Sequence, residues 1–230
     1  MAIRKKLLLV NPPPNPDTGP QLHLESLGLG YVAASVRREL GKTHDVTLWD
    51  CSLVDKSMVH VPEILDAVAP DFVGLSLSAM NAGQGAVISA QIRKRLPRAK
   101  ILIGGILASS LPADELACFN PDAIIRGEGE GLVPQALGML EDAPPGQALE
   151  LVQEQALDVD DLAWPARDML PWQLKMHAQA SVAASRGCPY RCSFCSIPKA
   201  GPIRKWRPRD IDDVVDEMRF LYKIYNIAHF

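Results

Sequence analysis

Apolar positions along the first part of the chain follow two alternating rhythms. Short, nearly continuous apolar runs at residues 6–10, 45–49, 72–77, 100–103 and 123–126 suit strands buried on both faces of a parallel sheet. Between them the spacing changes to that of helices. Residues 27–40 place Leu29, Val32, Ala33, Val36 and Leu40 on one face and turn Arg37, Arg38 and Glu39 to solvent. Further helices are predicted over 62–69, 86–96, 112–118 and 131–140. This alternation predicts an α/β fold: a doubly wound, Rossmann-like, five-stranded parallel sheet filling a domain over residues 1–140.

The rhythm lapses over residues 141–179, where prolines and acids gather (Asp158, Asp160, Asp161, Pro165, Pro171). Leu162, Trp164, Met169, Leu170 and Trp172 are too apolar for a free tether, so this reads as a linker packed along both of its neighbours. Residues 180–230 read as the start of a second α/β unit. They comprise a short strand at 181–185, a helix at 210–225 and the beginning of another strand at 227–230. Asp210 is placed to cap that helix, Asp212 and Asp213 suit its first turn, and Asn226 closes it. Its apolar stripe is Ile211, Val214, Val215, Met218, Leu221 and Tyr222.

At 230 residues, with 47% hydrophobic and 22% charged residues, the composition is that of a globular protein. A net charge of −3 gives no reason to expect nucleic acid or a membrane surface as partner. The amino-terminal apolar run, Leu7 to Val10, is too short for a signal peptide, and no window is apolar enough to span a bilayer. A cytoplasmic location is therefore expected, where clustered cysteines favour metal over disulfide.

Three of the five cysteines stand in one loop, as Cys188-x-x-x-Cys192-x-x-Cys195. Three thiolates at this spacing can converge on one soft metal centre; a zinc knuckle or a disulfide pair is the plainer reading. Cys51 and Cys118 lie far upstream, so a four-iron cluster held here would keep one iron open to a small ligand. A redox pair between those two is disfavoured, since each reads as a small apolar residue that is buried or beside a turn. The predicted strand ends carry Asn11 to Pro14, Asp50 to Ser52, Ser76 to Ser78, Gly104-Gly105 and Gly127-Glu128-Gly129-Glu130. Ligands of open parallel sheets sit beyond such ends, although the same residues also make ordinary tight turns.

The cysteine loop, preceded by Ser185-Arg186-Gly187 and carrying Phe194 just before its third cysteine, resembles the cluster loop of the radical S-adenosylmethionine enzymes. The resemblance implies that Cys188, Cys192 and Cys195 ligate a 4Fe-4S cluster whose open iron chelates S-adenosylmethionine. It also implies cleavage of that molecule by a cluster electron to a 5'-deoxyadenosyl radical, with Phe194 near the adenine. An electron donor such as flavodoxin or ferredoxin and a small-molecule substrate are the partners implied.

A second resemblance covers residues 1–140. The succession Asn11-Pro12-Pro13, Leu27-Gly28-Leu29-Gly30-Tyr31-Val32-Ala33-Ala34, Pro70 to Ser76, Ile103-Gly104-Gly105 and Arg126 to Glu130 is similar to the cobalamin-binding domain found ahead of many radical S-adenosylmethionine domains. It implies a corrin ring on the strand ends and a nucleotide tail slipped into the sheet, against Asn11, Ser76, Ser78, Gly104, Gly105 and Glu128. The Asp-x-His-x-x-Gly loop that supplies a lower ligand to cobalt in many cobalamin proteins is absent, and His23 stands in a different context. Residues 161–168 resemble the bridging segment of the same two-domain family.

Methylation of an unactivated carbon is the first expectation. Oxidative cyclisation or another carbon-skeleton change in tetrapyrrole, lipid or natural-product biosynthesis is the second. A non-catalytic cobalamin carrier with zinc in its cysteine loop is the alternative of another class. The basic run from Lys199 to Arg209, with Trp206 inside it, is expected to act locally rather than on nucleic acid. The resemblance implies a barrel of which only the beginning is present, so the chain is expected to be the amino-terminal part of a longer protein. Alone it would expose an unpaired strand edge and not complete catalysis.

Overall fold

The computed structural model describes residues 4–16, 25–51, 60–143, 148–170, 179–190, 192–195 and 205–230. Within them β1 (Lys5–Asn11), β2 (His44–Asp50), β3 (Phe72–Ser76), β4 (Lys100–Gly104), β5 (Ala123–Arg126) and β6 (Leu149–Val152) form one sheet. Its order is β2-β1-β3-β4-β5-β6 and every pairing is parallel. The direction of winding reverses between β1 and β3, which opens a crevice at the carboxyl ends of those strands.

Burial on both faces explains the apolar runs. Leu7 and Leu9 of β1 point to one face, where they meet Leu102, Ile125 and the helices α1 (Leu27–Leu40) and α5 (Gly129–Asp142). Leu8 and Val10 point to the other, against Val73, Ile101, Ile103, α2 (Val61–Val68) and α3 (Ala82–Arg95). These four β1 residues are at most 2% exposed. At about 1.5–3 kcal/mol for each buried large apolar side chain, β1 is the strand least able to accept a polar residue.

The sheet has six strands where the sequence predicts five. The sixth, Leu149–Val152, lies within the predicted linker and pairs with β5 from Ala123↔Leu149 to Arg126↔Val152. As an edge strand it buries little, with Glu150 and Val152 exposed, so its apolar signal is weak. The helix predicted over 112–118 is also displaced. α4 (Gly105–Ser110) comes earlier, and 112–118 instead holds turns leading into a 3₁₀ turn at Ala117–Phe119. Pro112 disfavours helical geometry at the residue before it, and Leu111 is accordingly extended at φ −99°, ψ 148°. That proline ends a helix rather than starting one.

Pro134 within α5 removes the amide that would bond the Glu130 carbonyl. Ser35 of α1 supplies the missing donor, Oγ to Glu130 O at 2.6 Å, so the proline helps tie α1 to α5.

In the remainder, β7 (Ser185–Arg186) pairs antiparallel with β8 (Arg207–Pro208). The strand predicted at 181–185 is thus reduced to its last residue, and that predicted at 227–230 to a parallel bridge between Gln179 and His229. α6 (Ile211–Tyr225) has the predicted boundaries: the Asp210 side chain accepts from the amides of Asp212 and Asp213, and Asn226 closes it in the left-handed region at φ 56°. Between the two parts, Ala166 N donates to Gly30 O at 3.0 Å and Trp164 Nε1 to Asp213 Oδ1 at 2.8 Å, so this stretch packs on both neighbours. No helix among the described residues is long and apolar enough to cross a membrane.

Candidate functional site

On the face covered by α1 and α5, successive inward positions near the ends of β3 and β4 are Gly74, Ser76 and Gly104. Ser76 pairs with Gly104, and Gly74 with both Leu9 and Leu102. Three adjacent positions without a bulky side chain leave a cavity of about 360 Å³ between sheet and helices. Leu7, Leu9, Leu102, Ile125, Val32 and Val133 form its apolar wall. Glu128, Glu130, Tyr31 and Arg186 form its polar edge.

The glycines at β4 differ in their reasons for being there. Gly105 has φ +88°, and an added Cβ would meet Leu77 O at 2.7 Å, so this turn favours glycine outright. Gly104 is extended at φ −146°, and its Cβ would stand 3.6 Å from Ile125 Cβ, so a side chain there is free to grow into the cavity.

Of the residues expected at a cofactor, Ser76, Gly104, Gly105 and Glu128 line this cavity together. Asn11 and Ser78 belong to a separate network at the ends of β1 and β3. Asn11 Nδ2 donates to Asp50 Oδ1 at 2.9 Å, and Asn81 Nδ2 donates to Asn11 Oδ1 at 3.3 Å and to Ser76 O at 3.1 Å. Ser78 N donates to Asn81 Oδ1 at 2.7 Å. His23, His177, Lys199 and Arg204 lie outside the described residues.

The cysteine loop stands at the mouth of the cavity through Arg186. Its guanidinium lies 4.6 Å from the Tyr31 ring centroid and donates to Glu130 Oε1 at 2.6 Å. From β8, Arg207 Nη2 donates to Glu128 Oε1 at 2.7 Å. Burial pushes the Glu128 carboxyl up, but the hydrogen bond and charge of Arg207, with Arg186 beside it, outweigh this and hold it below the usual carboxylate range. Asp213 is likewise held low: burial raises it, and its bonds to Arg209 and Trp164 lower it further. Two cations of the basic run, Arg207 and Arg209, are therefore turned onto carboxylates of the protein itself.

A carboxylate whose pKa is depressed on folding stabilises the fold above its unfolded value, and this is lost as pH falls through the folded value. The thermal midpoint is therefore expected to drop as pH is lowered below the ordinary glutamate pKa of about 4.3. Glu128→Gln should start lower at neutral pH and fall less steeply on acidification. An unchanged slope in calorimetric scans would count against this role for Glu128.

Cys188 and Cys195 are part-buried and Cys192 is exposed, with Cys195 N donating to Cys192 O at 3.1 Å. All three are free thiols in one short loop, a donor set that fits an iron-sulfur cluster. Among the described residues no group of three Cys, His, Asp or Glu side chains is gathered closely enough to hold a metal. Phe194 is 91% exposed beside them, while Cys51 is buried and its thiol pushed well up by burial. Gly187, just before Cys188, has φ +82°, and an added Cβ would collide with the Lys205 carbonyl oxygen across the β7–β8 pair. Gly187→Ala is expected to cost about 1–3 kcal/mol in urea unfolding, as backbone strain at a single site does, and to speed protease cleavage in the cysteine loop.

The inward turn of Arg207 and Arg209 onto carboxylates of the protein is not legible in the sequence. Tyr31, Arg186 and Glu130 stand in the motifs quoted above, but a pairing across 56 positions leaves no local pattern.

Residues 20–137 match the B12 binding domain family. The hopanoid C-3 methylase of Methylococcus capsulatus is 35% identical over 83% of this chain and 39% of its own length. An uncharacterised methyltransferase of Pyrococcus horikoshii is 29% identical over 96% of this chain and 51% of its own. The anaerobic magnesium-protoporphyrin IX monomethyl ester cyclase of Synechocystis is 28% identical over 98% of this chain and 48% of its own. The chain thus spans about half the length, or less, of these relatives. In fold it is similar to the radical S-adenosylmethionine methyltransferase TsrM of Kitasatospora setae, with a TM-score of 0.68 at 19% identity over 97% of this chain and 46% of that one.

Proposed function

Because the chain belongs to the B12-binding domain family, we propose that it is the cofactor-holding part of a radical S-adenosylmethionine enzyme that methylates an unactivated carbon. Residues 1–140, with β6 added at the edge, take cobalamin. Residues 141–179 bridge to 180–230, where Cys188, Cys192 and Cys195 ligate a 4Fe-4S cluster and Phe194 lies by the adenine of S-adenosylmethionine. The observation that carries this reading is the apolar cavity at the ends of β3 and β4, whose lining includes Arg186, two residues before the first thiol of the loop.

When bound, the cluster would supply an electron to S-adenosylmethionine and the corrinoid a methyl group. The protein's own residues bind and exclude. Leu7, Leu9, Leu102, Ile125 and Val133 keep water from the buried end, Gly74 and Gly104 leave room for a flat aromatic tail, and Ser76 can hydrogen-bond it. The cyclase among the relatives favours a second reaction, oxidative cyclisation, at the same site. Product analysis on candidate substrates separates a gain of one methyl group from a loss of hydrogen.

The cavity reading is tested by titrating the intact protein with hydroxocobalamin and following visible absorption. Gly104→Leu, which fills the cavity without backbone strain, is expected to weaken binding at least about tenfold while leaving the thermal midpoint near that of the parent. Undiminished affinity would place the cofactor elsewhere.

A further inference from the structure

Arg186 touches three walls of the cavity at once. It stacks on Tyr31 of α1, bonds Glu130 in the first turn of α5, and reaches Glu128 of the β5–α5 loop at 3.4 Å. All four residues line the cavity. Building on the reading above, we propose that Arg186 is a positioning residue that couples binding of the corrinoid tail in the cavity to the seating of the cysteine loop.

The coupling follows from how the side chain is held. Its backbone lies in β7, whose partner β8 sends Arg207 to the same Glu128 carboxylate. Both strands of the hairpin are thereby fastened to one point at the cavity edge. Cys188 follows Arg186 by two residues, at most about 7 Å of chain, so the anchored end of the hairpin lies close to the first thiol. Its bonds to Glu130 and Glu128 and its contact with the Tyr31 ring fix the guanidinium from three sides. A tail that moves Tyr31 or Glu130 moves the arginine they hold, and an arginine fixed through β7 in turn holds those walls. By linkage the two effects are equal in size. Lysine cannot substitute, because it lacks the flat face that stacks on Tyr31 and the fork that spans two carboxylates.

The test is the dissociation constant of hydroxocobalamin for the intact protein, measured by absorption in the metal-free state and after anaerobic reconstitution with iron and sulfide. The parent is expected to differ at least about fivefold between the two states, and Arg186→Lys and Glu130→Gln to bring this below about twofold while retaining the parent's iron content. Equal affinity in the two states of the parent overturns the coupling and leaves the cavity reading standing. Absence of binding in both states overturns the cavity reading and this inference with it. A fivefold difference that survives in both variants overturns the role of Arg186. The parent comparison decides the coupling, and either variant that folds decides the role of Arg186.

Discussion

Cys192→Ala is expected to lower the iron content of the anaerobically reconstituted protein from about four atoms to background and to abolish reductive cleavage of S-adenosylmethionine, while hydroxocobalamin still binds with the affinity of the metal-free parent. The thiol is exposed and stands away from the apolar cores, so its removal creates no cavity. Folding should be untouched, with a thermal midpoint close to that of the parent. The loss is large because a cluster held by three protein thiolates has no spare ligand. Cys51 is buried with a thiol pushed well up and Cys118 stands within the 3₁₀ turn of the first domain, so neither can take the place of Cys192. The same experiment separates the two classes of function. Iron with sulfide in the parent supports the radical enzyme, whereas zinc without sulfide would turn the reading to a non-catalytic corrinoid carrier. Full iron retention in Cys192→Ala would remove this cysteine from the ligand set.

The elements legible in the sequence are those whose signal is local. β1 announces itself through four consecutive buried apolar residues, α1 through its apolar stripe, and α6 through Asp210 and Asn226 at its ends. α3 begins at Ala82, four residues before the predicted start at 86, because Gly83 and Gly85 dilute the helical signal of its first turn and Asn81 spends its side chain on β1 and β3 rather than on capping. β6 escaped because an edge strand needs few apolar residues. The cavity was half legible. Gly104, Gly105, Ser76 and Glu128 stand at strand ends, where open parallel sheets bind ligands, and they do line it. Asn11 and Ser78 stand at the same level but are drawn into bonds with Asp50 and Asn81, a choice made by neighbours far apart in sequence. The ionic lattice at the junction was illegible for the same reason.

That lattice underlies the other large expected effect. Arg167, in the 3₁₀ turn Arg167–Met169, donates to Glu25 Oε1 at 2.6 Å, to Glu217 Oε1 at 2.9 Å and to Ser181 O at 2.6 Å. It thereby joins the entry to α1, the bridging segment and α6. The Arg167, Glu25 and Glu217 side chains are 4%, 6% and 0% exposed, so water screens little of the interaction and cannot replace it. Arg167→Met fills much of the same space but leaves Glu25 facing buried surroundings without its cation and Glu217 with Arg209 at 2.7 Å. Removing one partner of a buried ion pair costs about 3–5 kcal/mol. For a chain of this size that corresponds to a fall in thermal midpoint on the order of 10 °C. The penalty comes from the stranded carboxylate rather than from a missing attraction, and this makes a second measurement decisive. Combining Arg167→Met with Glu25→Leu removes charge from both sides and should recover part of the loss, because an apolar replacement of a whole buried pair is often near neutral. A single substitution costing less than about 1 kcal/mol would mean that the cluster behaves as an exposed surface pair does, and that the junction is held by Trp164, Pro165 and the apolar face of α6 instead.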